Sequence, residues 1–143
     1  MKHALNMSAL AFGSTYLVAF LVLAILDAVW LGYVAREFYR RELGSLMADS
    51  IPIAPAAAFY VLYPLGLIVL ALHPAPDTLV GAFVRSAVVG LVAYGTYDLT
   101  NLATLRGWSL RLSMIDIAWG TLVSGAAGLA AWWFVLRAHG AGQ

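Results

Sequence analysis

Cysteine is absent from this 143-residue chain, which excludes disulfides, thiolate nucleophiles and cysteine-ligated metals. Charge is scarce as well. Asp, Glu, Lys and Arg make up 10% of the residues, where a soluble domain carries about a quarter. The basic residues form no block that would match a phosphate backbone, and the net charge is only +1, so no nucleic-acid partner is expected. No glycine-rich phosphate loop, serine nucleophile elbow or helical zinc motif appears. His3, His73 and His139 all fall near one membrane surface, away from the acidic groups described below. They offer no ligand set for a haem or di-iron centre at that depth. No metal is expected, and the sequence specifies no cofactor.

Apolar residues take the place of charge: 63% of the chain is hydrophobic and the mean hydropathy is +0.87. The excess lies in four runs, about 9–31, 54–72, 78–101 and 112–136. Each holds about 19–25 residues, enough for a helix rising 1.5 Å per residue to cross about 30 Å of hydrocarbon. The expectation is therefore an all-α integral membrane four-helix bundle, a single transmembrane domain over residues 1–143 with the lipid bilayer as its first partner. The basic start, Met1-Lys2-His3, precedes a run too long for a signal-peptide core, so that run reads as a retained first span.

Most of the charge sits between the first two runs, in Arg36, Glu37, Arg40, Arg41, Glu42 and Asp49. Val34, Phe38, Tyr39, Leu43 and Leu46 recur among them at helical spacing, the pattern of a short interfacial amphipathic helix. Glu37 and Arg41, four apart, would pair on it. Four spans place both termini on one side. The connections 33–53 and 102–111 share the other side with five arginines, against Lys2, Arg85 and Arg137. By the positive-inside rule those connections are cytoplasmic and the termini extracytoplasmic.

Tyr94, Tyr97, Asp98 and Asn101 stand at i, i+3, i+4 and i+7, one helical face carrying two phenols, a carboxylate and an amide. Asp27 and Trp30, and again Asp116 and Trp119, are three apart on theirs. The topology brings these groups and Tyr60 to nearly one depth. An ionisable residue at the bilayer centre costs about 2.5–3.5 kcal/mol, so such side chains turn inward. The small-residue stripe Gly120, Ser124, Gly128 would draw Asp116 towards its neighbours. The candidate ligand-binding residues are thus Asp27, Trp30, Tyr60, Tyr94, Tyr97, Asp98, Asn101, Asp116 and Trp119, with Arg106 and Arg111 as head-group contacts. The competing reading is a fastening, with Asp98 accepting from Tyr60 or Thr100 and Asp116 from an indole or hydroxyl. Trp30 and Trp119 would then be interfacial anchors, as Trp108 and the Trp132-Trp133 pair are read to be.

Several of these phrases recur together in a known pattern. Leu26-Asp27-x-x-Trp30-Leu31, Phe59-Tyr60 with Tyr63-Pro64-x-Gly66, Tyr94-x-x-Tyr97-Asp98-x-Thr100-Asn101, the Trp108 turn and Asp116-x-x-Trp119-Gly120 span nearly the whole chain. In these the chain resembles a family of small bacterial four-span membrane proteins of unknown function. The resemblance implies the same fold and a bacterial inner membrane. It implies no catalytic residue, and its leaning is towards a lipid-linked role. Three functions compete: a pocket that binds or modifies a lipid or another amphipathic small molecule, a proton- or cation-coupled transporter of small solutes, and a non-catalytic subunit of a larger complex. The sequence leaves open whether the chain is an enzyme. Homo-oligomerisation is compatible with so thin a bundle.

Overall fold

The computed structural model describes residues 7–137, and the calls on His3 and His139 lie outside the described residues. Helix α1 (Ala9–Val29) begins at Ser8, whose hydroxyl accepts from the Ala11 amide, and ends in a wider π-helical turn, Trp30–Val34. The short helix α2 (Arg36–Leu43) follows. Helix α3 (Ile53–Leu67) starts after Pro52 and runs on through Ile68–Leu72. Thr78 caps α4 (Leu79–Thr104) and Ser109 caps α5 (Leu110–Ala131), which continues as Trp132–Leu136. A Ser or Thr at three of these starts supplies an acceptor for amides that have no partner within the helix. Among the described residues there is no strand.

Four of these helices are long and apolar enough to cross a membrane: Ala9–Val34, Ile53–Leu72, Leu79–Thr104 and Leu110–Leu136. The expected first and third spans stop short of the observed ends by three residues each. Gly32 does not interrupt the first. Thr100 and Thr104 stay helical by bonding back to the Thr96 and Thr100 carbonyls at 2.5 and 2.7 Å. The amphipathic segment is the eight-residue α2, with Glu37 and Arg41 paired at 3.4 Å on its exposed face.

Lipid tails are as apolar as leucine, so hydrophobic burial does not drive these helices together; close packing does. The tightest seam joins α4 to α5. A Cβ on Gly90 would stand 2.3 Å from the Gly120 carbonyl oxygen, and one on Gly128 would stand 1.9 Å from the Ser86 hydroxyl oxygen. The stripe read in the sequence thus lies against α4. Helix α5 is the least hydropathic span, 1.4 against 2.4 for the first, and the most enclosed. It packs against α1 as well as α4. The core joins Ala19 and Leu23 of α1, Leu67, Ile68 and Leu72 of the third span, and Val123 and Ala127 of α5. Helix α3 leans on α1 and meets α4 chiefly through its last turn, Ile68–Leu72. The two helices are therefore close beside their short connection and apart towards the other end.

Candidate functional site

At that open end the polar side chains gather. Asp27 is 3% exposed and accepts two hydrogen bonds, from the Trp119 indole at 2.8 Å and the Tyr60 hydroxyl at 3.2 Å. The Trp119 ring stacks on Trp30, with centroids 4.3 Å apart and planes 6° from parallel. Trp30 in turn donates at 3.4 Å to the Tyr39 hydroxyl, which donates to Asp116. One connected set of contacts thus ties α1, α2, α3 and α5. Neither Trp30 nor Trp119 is merely an interfacial anchor: each indole N–H has a partner within the protein, as a desolvated indole requires.

Tyr39 was read in the sequence only as one of the apolar positions of the amphipathic segment. The signal available was a phenol on the inward face of a helix, since a buried phenol needs an acceptor. Burial pushes the Tyr39 phenol above its usual range, and donation to Asp116 adds to this. The raised value means that the folded chain keeps this proton where an unfolded tyrosine loses it. Stability from the contact is full below about pH 10 and falls as pH rises from there towards the folded value. Tyr39→Phe is expected to lower stability at pH 8 and to lose less on going from about pH 9 to pH 11 than the parent does. Equal alkaline losses in chemical unfolding of the two proteins would refute this.

Asp98 belongs to a different neighbourhood. It is fully buried, and among the described residues neither carboxylate oxygen has a hydrogen-bond partner. Ser113 and Trp108 are its polar neighbours. They also bond to each other, indole to hydroxyl at 3.0 Å. Tyr60 serves Asp27, not Asp98, and Thr100 serves carbonyls of its own helix. Trp108, read as a plain anchor, is tied into the protein beside a buried carboxylate. Asp116 lies within electrostatic range of both Asp27 and Asp98. Among the described residues no three His, Asp or Glu side chains converge to hold an ion. His73 is exposed in the α3–α4 connection.

The polar patch of α4 therefore divides. Asp98 turns inward, while its neighbour Tyr97 is 54% exposed, lies edge-on to Trp108 at 5.8 Å and has Asn101 beside its hydroxyl. Tyr94 packs over Gly120, where an added Cβ would stand 2.1 Å from the ring. Tyr94 also meets Tyr63 edge-on at 6.1 Å, and the Tyr63 hydroxyl is fixed to Ser124 at 2.6 Å. Phe59 stacks on Tyr63 at 5.1 Å. Together Phe59, Tyr63, Ala93, Tyr94, Tyr97 and Asp116 line a cavity of about 300 Å³. Phe59, Tyr63 and Ala93 also line a second cavity, about 420 Å³, whose remaining walls are Leu62, Gly66, Leu67, Leu70 and Val89.

The arginines stand apart from this cavity. Arg111 lies over the Phe38 ring at 5.5 Å and 3.9 Å from Glu42, which also accepts from Ser109. Arg106 is exposed in the α4–α5 connection. Trp132, at the far end of the bundle, donates to the Pro76 carbonyl at 2.8 Å, and Trp133 lies under Arg137.

Four apolar helices closed by a small-residue seam, with their polar groups collected at one end, define an all-α membrane protein. The chain belongs to the family described as "Predicted membrane protein (DUF2177)", whose model matches residues 12–133. This is a family of unknown function, as the resemblance implied. Comparison with curated proteins and with solved structures gives no match.

Proposed function

We propose that the groove between α3 and α4 binds the hydrocarbon chain of a membrane amphiphile and holds its polar end at Asp116. The observation that carries this reading is that the two cavities adjoin, sharing Phe59, Tyr63 and Ala93 as walls. An apolar stretch walled by Leu62, Leu70 and Val89 adjoins, at Ala93, a compartment lined by Tyr63, Tyr94, Tyr97 and one acidic residue, Asp116. Volumes of about 300 and 420 Å³ fall at the lower end of small-molecule sites.

Ala93 stands where the cavities join, and Gly66 lines the apolar stretch with nothing within 4 Å of an added Cβ. Ala93→Phe and Gly66→Leu are expected to fill the groove while leaving the fold intact. Native mass spectrometry of the maltoside-extracted protein should show a retained amphiphile on the parent and a several-fold loss on either variant. Equal retention on all three would count against the groove as its site.

We propose, too, that the chain sits in a bacterial inner membrane with the 33–53 and 102–111 connections cytoplasmic. Arg36, Arg40, Arg41, Arg106 and Arg111 all lie at that end and support this orientation. An alkaline phosphatase fused after Gln143 should then be active, and a green fluorescent protein fused there dark. The opposite pattern would reverse the topology.

A further inference from the structure

The geometry points to a lipophilic ammonium compound, a single alkyl chain ending in an amine or quaternary ammonium, as the occupant of this groove. The inference rests on the groove reading and adds the chemistry of the head. Four aromatic residues, Phe59, Tyr63, Tyr94 and Tyr97, line the smaller cavity together with one acidic residue, Asp116. A ring face attracts a cation within about 6 Å of its centroid, and rings grouped round a site are how proteins hold quaternary ammonium groups. Three of the rings are held in place. Tyr63 is tethered to Ser124, Tyr94 is seated over Gly120, and Phe59 is stacked on Tyr63.

Asp116 supplies the counter-charge. Its Oδ1 accepts from Tyr39, and among the described residues no donor meets its Oδ2. No Lys or Arg lines either cavity. A carboxylate or phosphate head would find no cation in this lining and would stand beside the Asp116 carboxylate. An ammonium head neutralises it. The missing arginine also decides between sources of ammonium. A zwitterionic phospholipid would bring a phosphate beside its ammonium with no cation in the lining to receive it.

The test is binding of tritiated decyltrimethylammonium, decanol and decanoate to the full chain in maltoside micelles, whose heads carry neither charge nor ammonium. The ammonium probe should bind saturably and about tenfold more tightly than decanol, with decanoate weakest. Asp116→Asn keeps an acceptor for Tyr39. It should weaken the ammonium probe about tenfold while leaving decanol within about twofold. Tyr97→Leu, at a half-exposed position, should weaken it about fivefold, and Tyr97→Phe should not. Equal binding of all three probes, lost in Ala93→Phe, would leave the groove standing and overturn the ammonium head. Absence of saturable binding by any probe would overturn both. Insensitivity to Asp116→Asn and Tyr97→Leu, or displacement by added phosphatidylethanolamine, would also overturn the proposal, the latter by making the occupant a phospholipid.

Discussion

Gly90→Val is expected to force α4 away from α5 and to destabilise the protein by about 3 kcal/mol, the upper end of ordinary overpacking costs. The added Cβ alone would stand 2.3 Å from the Gly120 carbonyl oxygen and 2.5 Å from the Ser124 hydroxyl oxygen. The first of these is backbone and cannot swing aside as a flexible side chain does. Helix association in lipid depends on such close approach, so the loss has no hydrophobic compensation. The same shift would pull Tyr94 from Gly120, and so open the aromatic compartment. Gly13→Ala is the control, since nothing lies within 4 Å of its added Cβ. It should be neutral or stabilising by up to about 1 kcal/mol. Reversible unfolding in mixed dodecyl sulfate micelles reads both. A Gly90→Val protein as stable as its parent would show that the seam is not closed as described.

Asp27→Leu is expected to cost about 2–3 kcal/mol, through the donors it strands and not through the volume it changes. The Trp119 indole and the Tyr60 hydroxyl would lose their acceptor inside the bundle, and a buried donor left unmade costs about 1–3 kcal/mol. Pairwise hydrogen bonds between membrane helices average only about 0.6 kcal/mol, which keeps the expected total near the lower part of the summed range. Asp27→Asn retains a carbonyl oxygen for one donor and should cost about 1 kcal/mol. Adding Tyr60→Phe and Trp119→Phe to Asp27→Leu removes the stranded donors and should recover part of the loss, apart from the weakened stack on Trp30. A thermal midpoint unchanged by Asp27→Leu would mean that these contacts do not fasten the bundle.

Spans, and the end of the bundle at which each polar group lies, were legible in the sequence because both follow from run length and chain direction. The expected boundaries differ from the observed helices by three residues or fewer, and the third span runs on where Thr100 and Thr104 bond to their own backbone. The end followed as directly. Asp27, Asp98 and Asp116 all flank the same two connections, whatever the helices do sideways. What the pattern did not carry was direction around each axis. Tyr97 and Asp98 are adjacent and about 100° apart on a helix, so a shared polar face still sends one to the cavity and the other to the interior.

The sequence by itself determined an all-α chain of four apolar helices, the membrane as its solvent, the family it belongs to, and the end at which its polar groups collect. These are one-dimensional properties: hydropathy, length and order along the chain. Only the tertiary structure decided that Tyr39 of a surface helix reaches Asp116, that two distant tryptophans stack, and that Asp98 is left without a hydrogen-bond partner among the described residues. It also decided that α3 and α4 part where Tyr94 and Tyr97 lie. The physical reason is that packing in lipid is set by which helices can approach closely. The small-residue seam binds α4 to α5 and leaves α3 leaning on α1, and the space between the two pairs is the groove.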